Sequence, residues 1–238
     1  MKLVYEVMDG TPVITLTSQD GQNKLDTNAL LSIPDLLNRV QAEGYSCVVI
    51  TGEGSNFCLG GNLAGASGSY EHLEAFGRVF TDTLLSISRR GPIIIAAVNG
   101  AAAGGGMSLL EACDLAVACE DAVFSIPEVR GGMPPVISYT GTYRMLGRKR
   151  TNELALFGGD LSAAQALQLG MVNRVVKKCD VLKTAFDMAK AIEKNGAFCN
   201  REIKSLSGRM DHDRMERQLK SAADRLNGIA LANSLKKR

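Results

Sequence analysis

The chain has 238 residues, 45% hydrophobic and 22% charged, a mixture that supports one compact core with a small appendage and argues against disorder or collagen-like repeats. A net charge of +2 gives no global pull toward nucleic acid or membrane, and with no Trp and 5% aromatic residues the chain is poor in stacking platforms for bases or sugars. Six cysteines without a CxxC pair, beside only His72 and His212, argue against a metal site.

The opening stretch MKLVYEVMDG lacks the apolar run of a secretory signal, so a reducing, cytoplasmic setting with free thiols is expected. Short apolar runs at 12–17 (PVITLT), 47–51 (CVVIT), 93–98 (IIIAAV), 115–118 and 172–176 read as strands, mostly buried on both faces. Between them lie helical patterns at 27–42, 71–89, 151–157, 163–169 and 181–193. Asp26 is a natural N-cap for the first, although Pro34 leaves a later start capped by Ser32 open, and Ser162 with Gln165 forms a capping box. Alternating strands and helices predict an α/β fold with parallel pairing. The uncharged stretch 91–110 is long enough to imitate a membrane span, but Asn99, Gly100, Gly104, Gly105, Gly106 and Ser108 break it into strand, turn and helix start. After Asn200 the strand signal stops, and a polar, helical, basic segment follows. The expected organisation is therefore a core over 1–195 and a C-terminal helical region over 196–238.

Three segments carry the chemistry. In 93–119, IIIAAVNGAAAGGGMSLLEACDLAVAC, a strand runs through a glycine cluster into a helix whose first N–H groups lack intrahelical partners and attract negative charge. In 55–63, SNFCLGGNL, paired glycines again follow a strand, and N–H groups from two loops are what an oxyanion hole requires. In 124–133, FSIPEVRGGM, Glu128 stands in an apolar, glycine-rich setting suited to a general base of raised pKa.

In this order and spacing, and with DLSAAQALQLGMVNRVV downstream, the segments resemble the crotonase superfamily of enoyl-CoA hydratases and isomerases over roughly residues 1–195. The resemblance implies a spiral of ββα units with a C-terminal helical trimerisation layer, giving a homotrimer or hexamer. The substrate it implies is an acyl-CoA or acyl-carrier-protein thioester, with coenzyme A entering as part of the substrate and no separate cofactor, membrane or nucleic acid. It places the two carbonyl-binding N–H groups on Gly61 and Gly105. Of the glutamate pair used by hydratases, the second falls on Glu128, but the first falls on Ser108. A hydroxyl orients water or substrate but does not act as an effective base near neutral pH. A lone carboxylate matches the isomerases of the superfamily, in which one base takes a proton from C2 and returns it at C4. Decarboxylation and hydration stay open, the former with Tyr139, Tyr143 or His72 as an auxiliary group.

Asn62 stands where many members carry Asp, and so counts with Ser108 as a substrate-positioning residue. Glu111, one turn beyond Ser108, is a remote substitute for the missing glutamate, and Arg130 would depress Glu128 if it faced it. Asp114 reads as structural. Two non-catalytic readings remain: a scaffold without turnover, and RNA contact through the basic tail, including Arg209, Arg214, Arg217, Lys220, Arg225 and 236–238.

Overall fold

The computed structural model describes residues 1–62, 70–89 and 91–235. Six strands form one sheet in the order β1 (Lys2–Met8), β2 (Thr11–Thr17), β3 (Cys47–Gly52), β5 (Ile93–Val98), β7 (Leu115–Cys119) and β10 (Arg174–Val176). All neighbours are parallel except β1, a hairpin partner of β2 at the edge. Every residue of β3 and β5 is buried, which is why these strands read as unbroken apolar runs.

A second sheet, absent from the sequence reading, is built of three-residue strands: β4 (Asn56–Cys58), β6 (Ala101–Ala103), β8 (Val123–Ser125) and β9 (Asp160–Ser162). β4, β6 and β8 each arise directly after a main-sheet strand and lead toward a helix, whereas β9 follows α4 and pairs antiparallel with β8. β3 and β4 precede α2 (Tyr70–Arg89), β5 and β6 precede α3 (Gly105–Ala112), and β7 and β8 precede α4 (Val136–Phe157). Successive units lie side by side, β3 on β5 on β7 in one sheet and β4 on β6 on β8 in the other, all parallel. The result is the spiral of ββα units. Adjacent turns press backbone on backbone: a Cβ on Gly106 would stand 2.0 Å from the Cys58 carbonyl oxygen.

Asp26 is the N-cap of α1 (Thr27–Ala42), its carboxylate accepting from Ala29 N and from the N-terminal ammonium, so Ser32 is not the start. Ser162 and Gln165 form the expected capping box of α5 (Ala163–Gln168). α4 is three times as long as its sequence signal because it begins at Val136 and is broken only at Gly147, whose φ of 69° is left-handed. α6 (Val181–Glu193) follows the predicted range.

α7 (Ala197–Leu235) packs along α2. Met215 and Leu219 are buried there, and Arg89 binds Glu216 at 2.6 Å. Burying an aliphatic side chain of this size stabilises by roughly 1.5 to 3 kcal/mol. The apolar stripe of the tail is thus partly used within the chain, while Leu206, Met210 and Leu231 stay exposed. Among the described residues no helix is long and apolar enough to cross a membrane.

Candidate active site

Gly61 is positioned by a single parallel bridge to Leu25. Leu25 N donates to Gly60 O at 2.8 Å and Asn62 N donates to Leu25 O at 2.7 Å. Because extended backbone alternates its hydrogen-bonding edges, this pairing turns the Gly61 N–H to the opposite side. Gly105 opens α3, where an N–H has no carbonyl one turn behind it. The preceding Gly104 holds φ 52° and donates its own N–H to Ser125 O. Neither the Gly61 nor the Gly105 N–H meets a backbone acceptor among the described residues. The two are neighbours, since a Cβ on Gly105 would lie 3.0 Å from Gly61 N and 3.2 Å from the Gly60 carbonyl carbon. Two free donors side by side at a helix start form a pocket for an oxygen carrying negative charge.

Glu128 lies in a short 3-10 turn, Pro127–Gly131, and its carboxylate reaches back over the same glycines. A Cβ on Gly104 would meet Glu128 Oε1 at 3.0 Å. Ser138 Oγ donates to that oxygen at 2.6 Å, whereas Oε2 is buried and has no partner among the described residues. Burial pushes the Glu128 pKa above its ordinary value, and the Ser138 hydrogen bond partly opposes the rise. Ser108, one turn into α3, is 3% exposed, and its hydroxyl is likewise buried without a partner among the described residues. The structure therefore brings together Gly61, Gly105 and Glu128, with Ser108 on the helix that Gly105 opens. Asn62 is exposed beside this group, its N–H engaged by Leu25.

Other residues singled out in the sequence fall elsewhere. Arg130 points to Asp160 at 3.3 Å, and is not among the groups that shift Glu128. Asp114 accepts from Ile94 N and from Lys204 Nζ, a lysine only 2% exposed, so its role is to tie β5 to α7. Tyr139 donates to Asn152, and Tyr139 and Tyr143 line a groove toward α7. The side chains of His212 and Arg214 and residues 63–69 and 236–238 lie outside the described set.

Glu111 is bound deep between α3 and α4, where it accepts from Thr142 Oγ1 at 2.6 Å. Gly141 supplies its space, since a Cβ there would stand 1.7 Å from Glu111 Oε2. Burial raises its pKa to about 8, against the favourable influence of Thr142 and Arg144 and with a smaller push from Glu128. It also lines a separate cavity of 340 Å³ toward α6 and α7, at the far end of α3 from Gly105.

Sequence reasoning missed Ser138 and Thr142. They lie four residues apart on α4 and so share a face toward the two buried carboxyl groups. Hydroxyl spacing on a helix predicted only from residue 151 offered no signal for them.

The fold is a spiral of ββα units, and its site sets two free N–H groups beside a buried carboxyl group. The family model for enoyl-CoA hydratase/isomerase matches residues 6–237, and the chain belongs to that family. Among curated relatives, the mevalonyl-coenzyme A hydratase sidH of Aspergillus fumigatus is 40% identical over 153 residues, 62% of this chain and 55% of that protein. The chain thus spans little more than half of that relative. The enoyl-CoA hydratase EchA19 of Mycobacterium tuberculosis is 30% identical over 81% of this chain and 75% of its own length. The crystal structure of an enoyl-CoA hydratase/isomerase from Xanthobacter autotrophicus Py2 superimposes with a TM-score of 0.87 at 29% identity, covering 96% of this chain and 87% of that one.

Proposed function

We propose that the chain isomerises the double bond of an enoyl thioester, carried on coenzyme A or an acyl carrier protein, with Glu128 as its single base. The observation that carries this reading is one carboxylate oxygen, Glu128 Oε2, left buried and without a partner among the described residues beside Gly104, while the position one turn into α3 holds Ser108 rather than a second carboxylate. Glu111 does not fill that gap, because its carboxyl is engaged by Thr142 on the α4 side.

The thioester oxygen accepts from the Gly61 and Gly105 N–H groups. Glu128 Oε2 removes a proton from C2 of a 3-enoyl thioester, and the electron pair moves into the carbonyl to give a dienolate. When the carbonyl re-forms, the C3–C4 electrons take the same proton back at C4, leaving the double bond at C2–C3 and the carboxylate restored. Each N–H contributes on the order of 3 to 4 kcal/mol to holding the dienolate charge. Burial suits Glu128 to this work, because a base of raised pKa removes a weakly acidic proton more readily. Ser108 and Asn62 are assigned to orienting the substrate.

Hydration of 2-enoyl thioesters is the second reading, favoured by the hydratases among the relatives, and decarboxylation through the same enolate is the third. The test offers 3-enoyl, 2-enoyl and 2-carboxyacyl thioesters to the wild type and to Glu128→Gln. Isomerisation of the 3-enoyl substrate that falls by roughly 3 to 6 kcal/mol of transition-state stabilisation in the variant supports the first reading. Rapid hydration of 2-enoyl-CoA with no action on 3-enoyl-CoA rejects it.

We further propose a core over 1–195 and assembly into a trimer, or a dimer of trimers, through the region after 196. The exposure of Phe198, Ile203, Leu206 and Met210 on one helix supports this assembly. Light scattering that showed a stable monomer at micromolar concentration would reject it.

A further inference from the structure

Between the start of α4 and the second half of α7 lies a groove of about 680 Å³. Its α4 wall is apolar and aromatic, formed by Pro135, Tyr139 and Tyr143 at successive turns, the two rings 6.0 Å apart. Its α7 wall carries Arg217, Ser221 and Arg225, again at successive turns. The lining contains no Asp or Glu, and neither arginine pairs with a carboxylate among the described residues. Two guanidinium groups without a carboxylate partner among the described residues, set over an aromatic floor, describe a site for a chain that is apolar along its length and anionic at its end.

The α4 wall of the groove adjoins in sequence the residue that holds the base. Ser138 Oγ, which holds Glu128 Oε1 at 2.6 Å, lies 3.4 Å from the carbonyl oxygen of Pro135, the first residue of the groove's α4 wall. Ser138 is followed directly by Tyr139 of the groove wall, so a thioester with its C2 at Glu128 would have the groove within a few ångströms of its acyl chain. Arg217 and Arg225 are eight residues apart, about 12 Å along the helix, so both arms can bend toward Ser221 and meet one anion between them. Guanidinium groups favour carboxylates because two parallel N–H donors match the two oxygens.

Resting on the thioester reading above, we infer that the enzyme prefers acyl chains ending in a carboxylate, which Arg217 and Arg225 receive in the α4–α7 groove. The specificity is thus for ω-carboxyacyl rather than simple fatty acyl thioesters.

Binding of two saturated probes, adipoyl-CoA and hexanoyl-CoA, to the full chain separates this claim from turnover. Calorimetry with the wild type, Arg217→Gln and Arg225→Gln should show adipoyl-CoA bound at least tenfold more tightly by the wild type, with the ratio falling toward one in each variant. Equal affinities in the wild type, or a ratio that survives both substitutions, overturns the inference. The dephospho-CoA forms of both probes supply the control: if the arginine variants lose affinity for both acyl groups alike, and the loss disappears with dephospho-CoA, the arginines serve the nucleotide phosphate and the inference is wrong. A carboxylate preference in a protein that turns over no enoyl thioester would uphold this inference and reject the isomerase reading. Binding of neither probe would reject both.

Discussion

The Ser138 hydroxyl donates to Glu128 Oε1 across 2.6 Å, so the first full turn of α4 decides which oxygen of the proposed base is free to react. Oε1 is occupied and lies against Gly104, and Oε2 is buried without a partner among the described residues. In the proposed isomerisation a proton taken from C2 and returned at C4 would be carried by one oxygen throughout, and the carboxylate would not have to turn over between the two steps.

Ser138→Ala tests this arrangement. The variant frees Oε1 and loosens the orientation of the carboxylate, so kcat should fall with little change in KM. The sign of the pH effect follows from the opposing influences on Glu128, in which burial raises the pKa and Ser138 lowers it. Without Ser138 the pKa rises further, and the acid limb of kcat/KM moves to higher pH. Ser138→Thr, which keeps a hydroxyl, should bring the limb back. A limb that does not move in Ser138→Ala shows that the serine only fills space.

Glu111 gives a prediction for stability. Its pKa rises in the folded protein from an ordinary value of 4.5 to about 8, so the folded state favours the neutral carboxyl. Its contribution is complete below about 4.5, declines as pH climbs through the interval, and is lost above about 8. Glu111→Gln preserves a neutral partner for Thr142 and removes the titration. Urea denaturation at pH 6 and pH 9 should show the wild type losing stability at the higher pH and the variant losing less. An equal loss in both proteins assigns the alkaline sensitivity to another group.

How much of this was legible in the sequence depended on whether a signal was local. β3 and β5 were readable because both faces are buried and nearly every residue is apolar, whereas β4, β6, β8 and β9 have three residues each, too few to display a period. The N-terminal half of α4 was hidden by Pro134 and Pro135 before it and by Thr140, Gly141 and Thr142 within it, all poor helix formers. Packing against α3 and α7 overrides those preferences. Gly61, Gly105 and Glu128 could be singled out because each sits in a short segment with its own character. The hydrogen bond from Ser138 to Glu128 bridges ten residues with no motif of its own, and the turn of Arg130 toward Asp160 is a matter of side-chain direction that spacing does not encode.

Lys204 and Asp114 form an ion pair of 2.6 Å between α7 and the end of α3, with the lysine 2% exposed. Removing one member of a buried pair leaves a charge without compensation and costs roughly 3 to 5 kcal/mol. Lys204→Met should therefore lower stability to chemical denaturation by about that amount. Adding Asp114→Asn should restore part of it, since the asparagine oxygen can still accept from Ile94 N. A double variant weaker than Lys204→Met by the full cost of a second independent lesion argues that the two residues do not act as a pair.

Neighbouring glycines of α3 should fail in different ways when substituted. A Cβ on Gly106 would stand 2.0 Å from the Cys58 carbonyl oxygen, backbone that cannot give way, so Gly106→Ala should lower the melting temperature and the yield of folded protein. A Cβ on Gly105 would meet Gly61 N at 3.0 Å, Phe80 Cζ at 3.1 Å and the Gly60 carbonyl carbon at 3.2 Å, contacts relieved by a shift of a few tenths of an ångström. That small shift separates the two N–H groups, so Gly105→Ala should keep most of the fold and lower kcat. Gly105→Pro, which deletes one of the two donors, should lower turnover by roughly two orders of magnitude or more. Thermal melts read alongside single-turnover rates distinguish the two classes. A folded Gly105→Pro protein with near-normal turnover would remove Gly105 from the carbonyl-binding pair.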